Sequence, residues 1–133
     1  NEVIKIIGLE KQIKDKVSTY SLGMKQRLAI GEAIINKPNL LILDEPTNGL
    51  DVEGIIEMRK LIKGLSQQGI AILISSHNLT EIDNLCNKII VIKNGKIIVN
   101  EAIEQFKNSL SYQETKLSLE EAFLKKVGDN KDD

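Results

Sequence analysis

The spacing of apolar residues along the chain predicts short helices that alternate with short strands. Apolar residues from Val3 to Leu9 recur at roughly helical spacing and predict a short helix, followed by an exposed lysine-rich loop. Ser21 stands at the N-cap position of a longer helical pattern that ends near Asn36. The residues expected on the packed face of this second helix are Leu22, Leu28, Ala29, Ala33 and Ile34.

A strand-helix-strand unit is predicted in the middle of the chain. The continuous apolar run 40–43 predicts a strand buried on both faces, and a second run, 70–74, predicts another strand. Between them, Asp51 can cap a helix whose apolar positions recur at helical spacing. A right-handed crossover makes the two strands parallel, so the residues that follow them lie along one edge of the sheet. These residues are Asp44, Glu45, Ser75, Ser76 and His77.

The remainder of the chain predicts a capped helix, a hairpin and two further helices. Asn78, with Glu81 three residues later, predicts the start of a short helix. The dipeptide Asn94-Gly95 between two apolar runs is a strong signal for an antiparallel hairpin. The predicted strands are 89–92 and 97–99, the predicted helices are 102–106 and 119–127, and residues 128–133 are expected to be a solvated, frayed tail.

Composition restricts the classes of function. The chain has 133 residues, a formal net charge of −1 and 41% hydrophobic residues, which indicates a globular domain and disfavours binding driven by phosphate-backbone neutralisation. No apolar stretch approaches the roughly 20 residues that cross a bilayer. Cys86 is the single cysteine; it is expected to be a packed thiol, and it excludes an intrachain disulfide.

Four sequence motifs occur in a fixed order. They are the run Tyr20-Ser21-Leu22-Gly23-Met24-Lys25-Gln26-Arg27, the apolar strand that ends in Asp44-Glu45-Pro46, the run Asn48-Gly49-Leu50-Asp51, and His77. In order and spacing they closely resemble the C-terminal half of an ABC-type ATPase domain, with the resemblance extending to about Ala102. The expected fold is therefore α/β, the C-terminal part of a P-loop NTPase ABC domain, with a parallel βαβ core, a terminal antiparallel hairpin and a signature helix, but without the N-terminal half.

The resemblance implies a role for each motif residue. Asp44 corresponds to the metal-binding residue of the Walker B element, for Mg²⁺, and Glu45 to the catalytic carboxylate that activates water. His77 corresponds to the switch histidine, a second catalytic residue, and Asp51 to the D-loop that couples two facing sites. Taken alone, two adjacent acids more often cap a strand, a strand-end histidine is more often a surface residue, and Asp51 is also a good N-cap.

The signature motif implies contact with ATP. Ser21 and Gly23 lie at a predicted helix N-terminus, where hydroxyl and backbone donors and the helix dipole suit a phosphate. In the family this motif faces the γ-phosphate of nucleotide held by the opposite subunit, and Gln26 and Asp51 complete the predicted nucleotide-binding set. Tyr20, Leu22 and Met24 depart from the commonest form of the signature, and the motif of this chain is similar to that of exporters of the bacitracin and lantibiotic resistance type. Without the other motifs, Ser21 would be read as an ordinary N-cap.

The family further implies ATP and Mg²⁺ as cofactors, a second ATPase subunit and a transmembrane permease subunit as partners, and a cytoplasmic location at the inner face of the membrane. No nucleic acid is expected as a partner. The phosphate-cradling motif Gly-x-x-x-x-Gly-Lys-Ser/Thr does not occur in the 133 residues. The expectation is therefore a fragment of a transporter ATPase that is inactive alone.

Two alternatives remain open at the level of sequence: an ABC-type ATPase that acts without a membrane subunit, in translation or DNA maintenance, and a non-catalytic, self-associating fragment. The predicted organisation has three segments. Residues 1–36 carry the signature motif, residues 37–100 form half of the ATPase core, and residues 101–133 form a helical extension with a frayed tail.

Overall fold

The computed structural model describes residues 2–110 and 117–128. The chain divides into two compact units, Asn1–Ser76 and His77–Asp133. The predicted three-segment organisation stays a prediction. Within the described residues, every helix is too short or too polar to cross a bilayer.

Six α-helices, four strands and one short 3-10 helix make up the described part of the chain. The helices are α1 (Glu2–Ile6), α2 (Leu22–Ile34), α3 (Val52–Gln67), α4 (Leu79–Leu85), α5 (Ile103–Leu110) and α6 (Leu119–Gly128). The strands are β1 (Leu40–Asp44), β2 (Ala71–Ser75), β3 (Lys88–Lys93) and β4 (Lys96–Ala102), and the 3-10 helix is Val17–Thr19.

The first unit contains the predicted βαβ arrangement. Strands β1 and β2 pair in parallel, with a register that runs from Leu40 opposite Ala71 to Asp44 opposite Ser75. The crossover helix α3 turns one apolar face inward, and Met58 on that face is completely buried. Gly69, at φ +91°, provides the left-handed residue that lets the chain leave α3 and enter β2. The predicted parallel pairing is confirmed.

The prediction that β1 is buried on both faces is wrong. Leu41 and Leu43 are buried, whereas Leu40 and Ile42 are 53% and 66% exposed. Successive side chains of a strand point to opposite faces, and within the described residues packing covers only the face that carries Leu41 and Leu43. An apolar run therefore indicated the strand but did not determine how many of its faces are covered.

The predicted packed face of α2 is also wrong in part. The buried residues are Ile30, Gly31 and Ile34, while Ala29 and Ala33 are exposed. The reason lies in Gly31: a Cβ atom at this position would come within 2.7 Å of Ile7 Cδ1. The missing side chain lets the end of α1 approach α2 closely, and this contact rotates the buried face toward residues 30, 31 and 34.

The second unit is built on the predicted hairpin. Strands β3 and β4 pair in antiparallel fashion, with an irregularity between Val91 and Ile92. Asn94 and Gly95 form the turn with φ of +50° and +73°, both in the left-handed region that such turns require. Strand β4 extends through Ala102, so the helix predicted from that residue begins one residue later.

Two helices complete the core of the second unit. Phe106 of α5 is 1% exposed, and Cys86 is half-buried against the same core, as expected for a packed thiol. Burial raises the pKa of the Cys86 thiol. The buried members of this cluster are Ile89, Val91, Val99, Ile103, Phe106, Leu119 and Ala122.

Helix α6 has defined interactions at both ends. Ser118 and Glu121 form a reciprocal cap at its start, in which the Ser118 backbone N–H donates to Glu121 Oε2 at 2.8 Å. At its end, Lys93 Nζ donates to the Val127 carbonyl at 3.1 Å. Gly128 belongs to α6, which corrects the start of the predicted tail, and residues 129–133 lie outside the described part of the chain.

Candidate functional site

Two polar groups meet where β1 and β2 end. Asp44 is the last residue of β1 and lies opposite Ser75, the last residue of β2. The Ser75 hydroxyl donates a hydrogen bond to Asp44 Oδ1, and both residues are exposed. The Glu45 backbone N–H donates to the Ser75 carbonyl at 3.0 Å. The register thus gives Asp44 a hydroxyl partner, a role for Ser75 that the sequence analysis did not assign.

A tight turn follows Asp44. Glu45 has a φ of +47°, in the left-handed region that costs a residue with a side chain roughly 1 kcal/mol or more. The Asn48 N–H donates to the Glu45 carbonyl at 3.0 Å, which closes the turn, and Pro46 and Thr47 are buried beneath it. The chain therefore leaves the line of the strand at Glu45, immediately after Asp44.

Ser21 caps α2 as predicted. Its hydroxyl oxygen accepts a hydrogen bond from the Met24 N–H at 3.2 Å, and its backbone is extended. The hydroxyl proton is a separate donor, so this capping bond leaves Ser21 able to donate to an anion. The first turn of a helix carries backbone N–H groups without intrahelical partners, next to the positive end of the helix dipole. The amino-terminal end of α2 therefore offers hydrogen-bond donors and a positive dipole that suit an anion.

Gln26 lies in the second turn of α2 and contacts the loop that follows β1. Its Nε2 donates to the Asn48 carbonyl at 3.4 Å. Its Oε1 is buried and, among the side chains that the structure describes, has no hydrogen-bond partner. This contact joins two of the motifs that the sequence analysis identified separately.

Asp51 caps α3, one of the two roles considered for it from the sequence. Its Oδ1 accepts a hydrogen bond from the Gly54 N–H at 2.8 Å. A Cβ atom at Gly54 would come within 2.8 Å of that same oxygen, so glycine lets the capping carboxylate lie close to the helix. The predicted coupling role of Asp51 stays a prediction.

His77 is the first residue of the second unit, two residues after β2 ends. It is exposed, and its predicted contact with phosphate stays a prediction.

The metal-binding capacity of the site rests on Asp44. Among the residues that the structure describes, no three His, Cys, Asp or Glu side chains cluster closely enough to form a metal-binding group of their own. Magnesium keeps several water ligands and is often bound through one or two carboxylates plus the phosphates of a substrate. A single exposed carboxylate with a hydroxyl partner fits this mode of binding.

An open cavity of about 240 Å³ lies between α2 and β1. Its lining is mainly apolar, with Ala29, Ala33 and Met58 among the contributors, and its polar lining residues include Gln26 and Asp44. The two alanines that are exposed on α2 therefore line a concave surface.

These features define an α/β protein with acidic residues at the carboxyl end of a parallel strand and a serine-capped helix nearby in the same unit. In open parallel sheets, ligands bind beyond the carboxyl ends of the strands, which is where Asp44 and Glu45 lie. The arrangement is typical of a protein that binds a phosphate-bearing ligand.

Comparison with known proteins specifies the family. The family model described as ABC transporter matches residues 1–48. The bacitracin transport ATP-binding protein BcrA of Bacillus licheniformis is 47% identical over 120 residues, which are 89% of this chain and 39% of that protein. The lantibiotic transport ATP-binding protein SrtF of Streptococcus pyogenes is 48% identical over 102 residues, covering 77% of this chain and 44% of that protein.

The fold comparison agrees with the sequence comparison. A solved structure described as the ATP binding subunit of an ABC transporter superposes with a TM-score of 0.76 and 25% identity, covering 95% of this chain and 52% of that one. The chain spans 32% to 44% of the length of three curated relatives that it matches. The chain is thus related to the ATP-binding subunits of ABC transporters, and the resemblance and the fold class inferred from its motifs are confirmed.

Proposed function

We propose that this chain forms the signature-bearing and Walker B part of an ATP-hydrolysing subunit of an ABC transporter, one that exports antibiotic peptides or drugs. The observation that carries the proposal is the placement of Asp44 and Glu45 at the end of a parallel strand, followed by a loop that contacts the capped end of α2. The names of the relatives BcrA and SrtF support the class of cargo.

Asp44 and Glu45 divide the chemistry between them in this proposal. Asp44, oriented by the Ser75 hydroxyl, would hold Mg²⁺, which supplies charge neutralisation to the phosphates when bound. Glu45, beyond the end of the strand, accepts the proton of the attacking water. The left-handed backbone at Glu45 turns the chain out of the strand direction immediately after Asp44.

Ser21 and Gly23 bind the γ-phosphate of ATP held by a second ATPase subunit. Ser21 contributes its hydroxyl proton, and Gly23 leaves the backbone open for the approach of a phosphate oxygen. Gln26 completes this set from the next turn of α2. Asp51 couples the facing sites, and His77 orients the attacking water.

The whole subunit works with a transmembrane permease at the inner face of the cell membrane, and the second ATPase subunit is either identical or homologous. The 133 residues alone do not turn over ATP, because they hold no phosphate-cradling motif. Calorimetric titration of Mg-ATP into the chain tests this point. We expect no binding up to millimolar ATP, and clear binding would contradict it.

The main test of the function is Glu45→Gln in the protein that joins this chain to a phosphate loop. The substitution keeps the shape of the side chain and removes the proton acceptor, so the rate of ATP hydrolysis should fall by roughly 10²- to 10⁴-fold while ATP binding is unchanged. Glu53→Gln, in the exposed first turn of α3, is the matched control and should leave the rate unchanged. Equal rates for wild type and Glu45→Gln would remove Glu45 from the mechanism.

Ser21 needs a variant pair, because it both caps α2 and is proposed to bind phosphate. Ser21→Ala removes both functions, whereas Ser21→Asp keeps an acceptor for the Met24 N–H and repels phosphate. We expect both variants to hydrolyse ATP slowly, while nucleotide binding to the cradle of the same subunit is retained. Normal hydrolysis by Ser21→Asp would show that Ser21 is only a cap.

A further inference from the structure

The amino terminus of α2 and the loop that precedes α3 touch through three pairs of residues. We call this set the α2-loop contact. Its members are Leu22, Gly23 and Gln26 on the helix, and Asn48, Gly49 and Leu50 on the loop. The two segments are more than 20 residues apart in the sequence, so the contact belongs to the tertiary structure.

Leu22 reaches over the backbone of the loop. A Cβ atom at Gly49 would come within 3.1 Å of Leu22 Cδ2, and Gly49 has a φ of +74°. Glycine suits this position because of its backbone conformation, and any side chain here would also press on Leu22. Leu22 is 51% exposed, so its packing is directed at the loop rather than at the buried core.

The second pair runs in the opposite direction. A Cβ atom at Gly23 would lie 3.4 Å from Leu50 Cδ2, which is ordinary packing distance. Each segment thus places a leucine against a glycine of the other. This reciprocal arrangement lets the two backbones lie close together, with a leucine side chain packed against each glycine.

The third pair is a hydrogen bond from Gln26 to the loop backbone, and it adds a polar contact to the packing of the two leucines. The Nε2 atom of Gln26 donates to the Asn48 carbonyl at 3.4 Å, and its buried Oε1 faces the protein rather than the solvent. The Asn48 N–H is itself bonded to the Glu45 carbonyl. A continuous path therefore runs from the second turn of α2 through Asn48 to the backbone of Glu45.

We propose that Leu22 and Gln26 are positioning residues that hold the loop 45–51 against the amino terminus of α2. The position of the loop backbone, including Glu45, is then linked to the amino terminus of α2. This inference rests on the proposed function for its catalytic consequence. It gives Leu22, a departure from the common form of the signature, a definite task, and it gives Gln26 a positioning role in addition to the nucleotide contact proposed above.

The structural part of the proposal is tested by amide hydrogen exchange at Asn48 and Leu50 in this chain. Leu22→Ala removes the packing, and Gln26→Met keeps the side-chain length and removes the donor. Each should raise exchange at both loop amides by about fivefold, since loss of one hydrogen bond or one partly exposed packing contact is of that order. Lys25→Ala, on an exposed position of the same helix, is the matched control and should leave exchange within about twofold.

Exchange at Leu65, buried in α3, separates a local effect from a general loss of stability. Faster exchange at the loop with unchanged exchange at Leu65 supports the proposal. Equal acceleration at Leu65, or loop exchange that neither variant alters, would overturn it.

The catalytic part is tested in the protein that joins this chain to a phosphate loop. Leu22→Ala should lower kcat for ATP hydrolysis by about fivefold with little change in KM, and Leu22→Met, which restores a long apolar side chain, should recover most of the loss. An unchanged kcat for Leu22→Ala would overturn this part. If the wild-type protein hydrolyses no ATP, the proposed function fails, whereas the exchange experiment still decides whether the α2-loop contact holds the loop.

Discussion

Arg27 joins three helices of the first unit, and its removal tests how that unit is held together. Its Nη1 donates to the carbonyls of Ile7 and Gly8 at 3.2 and 3.3 Å, just beyond the end of α1. Its Nη2 lies 3.2 Å from Glu57 Oε2 on α3, and the Arg27 side chain is only 14% exposed. The guanidinium of Arg27, which lies on α2, therefore caps the end of α1 and forms an ion pair with Glu57 on α3.

The expected cost of Arg27→Met follows from the partners that are left behind. Hydrogen bonds from a charged donor contribute roughly 1.5 to 3 kcal/mol each, but the Gly8 carbonyl is reached by water after the change and the bond to the partly buried Ile7 carbonyl dominates. The pair with Glu57, whose side chain is 46% exposed, contributes about 0 to 1 kcal/mol. We expect the free energy of unfolding of the first unit to fall by about 2 to 4 kcal/mol.

Urea denaturation followed by the amide NMR signals of α1 and α2 measures this cost in the first unit alone. Glu57→Gln is the matched control, because it removes the ion pair and leaves both carbonyl bonds, and it should cost less than about 1 kcal/mol. Equal costs for the two variants would mean that the ion pair, rather than the capping of α1, is the main interaction. A cost below about 0.5 kcal/mol for Arg27→Met would refute the reasoning altogether.

Two further predictions concern the second unit. Phe106→Ala should lower the free energy of unfolding of this unit by about 3 to 5 kcal/mol in the same urea experiment, because the ring is 1% exposed. The control Leu124→Ala, at a 62% exposed position, should change it by less than about 0.5 kcal/mol. Similar losses for the two variants would contradict the observed core. Hydrogen bonds from the backbone and the hydroxyl of Ser118 lower the pKa of Glu121 below its ordinary value of 4.5. The folded pKa is the lower one, so the stabilisation is present above about pH 4.5 and is lost as pH falls through the folded pKa. Ser118→Ala keeps the backbone bond and removes the hydroxyl bond, so an NMR titration should show a partial rise of the Glu121 pKa, and an unchanged pKa would disprove the contribution of the hydroxyl.

Much of the local structure was predictable because its causes are local. Ser21, Asp51 and Asn78 each accept a hydrogen bond from a backbone N–H three residues later, as N-caps do. The turn at Asn94-Gly95 requires positive φ at both residues, which these residue types tolerate best. In each case a few neighbouring residues contain the whole interaction, so the sequence is sufficient.

Burial was predicted less well because it depends on what packs against an element. The apolar run 40–43 indicated a strand correctly, yet Ile42 is exposed and Leu41 is buried. On α2, Gly31 rather than Ala33 lies in the packed face, because Ile7 approaches from another helix. A periodic pattern shows which residues share a face but leaves open which face is covered.

The sequence by itself determined the order of helices and strands, their caps and turns, and the motifs that relate the chain to ABC ATP-binding subunits. Only the tertiary structure showed that the Ser75 hydroxyl donates to Asp44, that Gln26 donates to the Asn48 carbonyl, and that Leu22 packs over Gly49. These contacts join residues more than 20 positions apart. Their geometry follows from strand register and helix packing, which bring together groups that no local pattern connects.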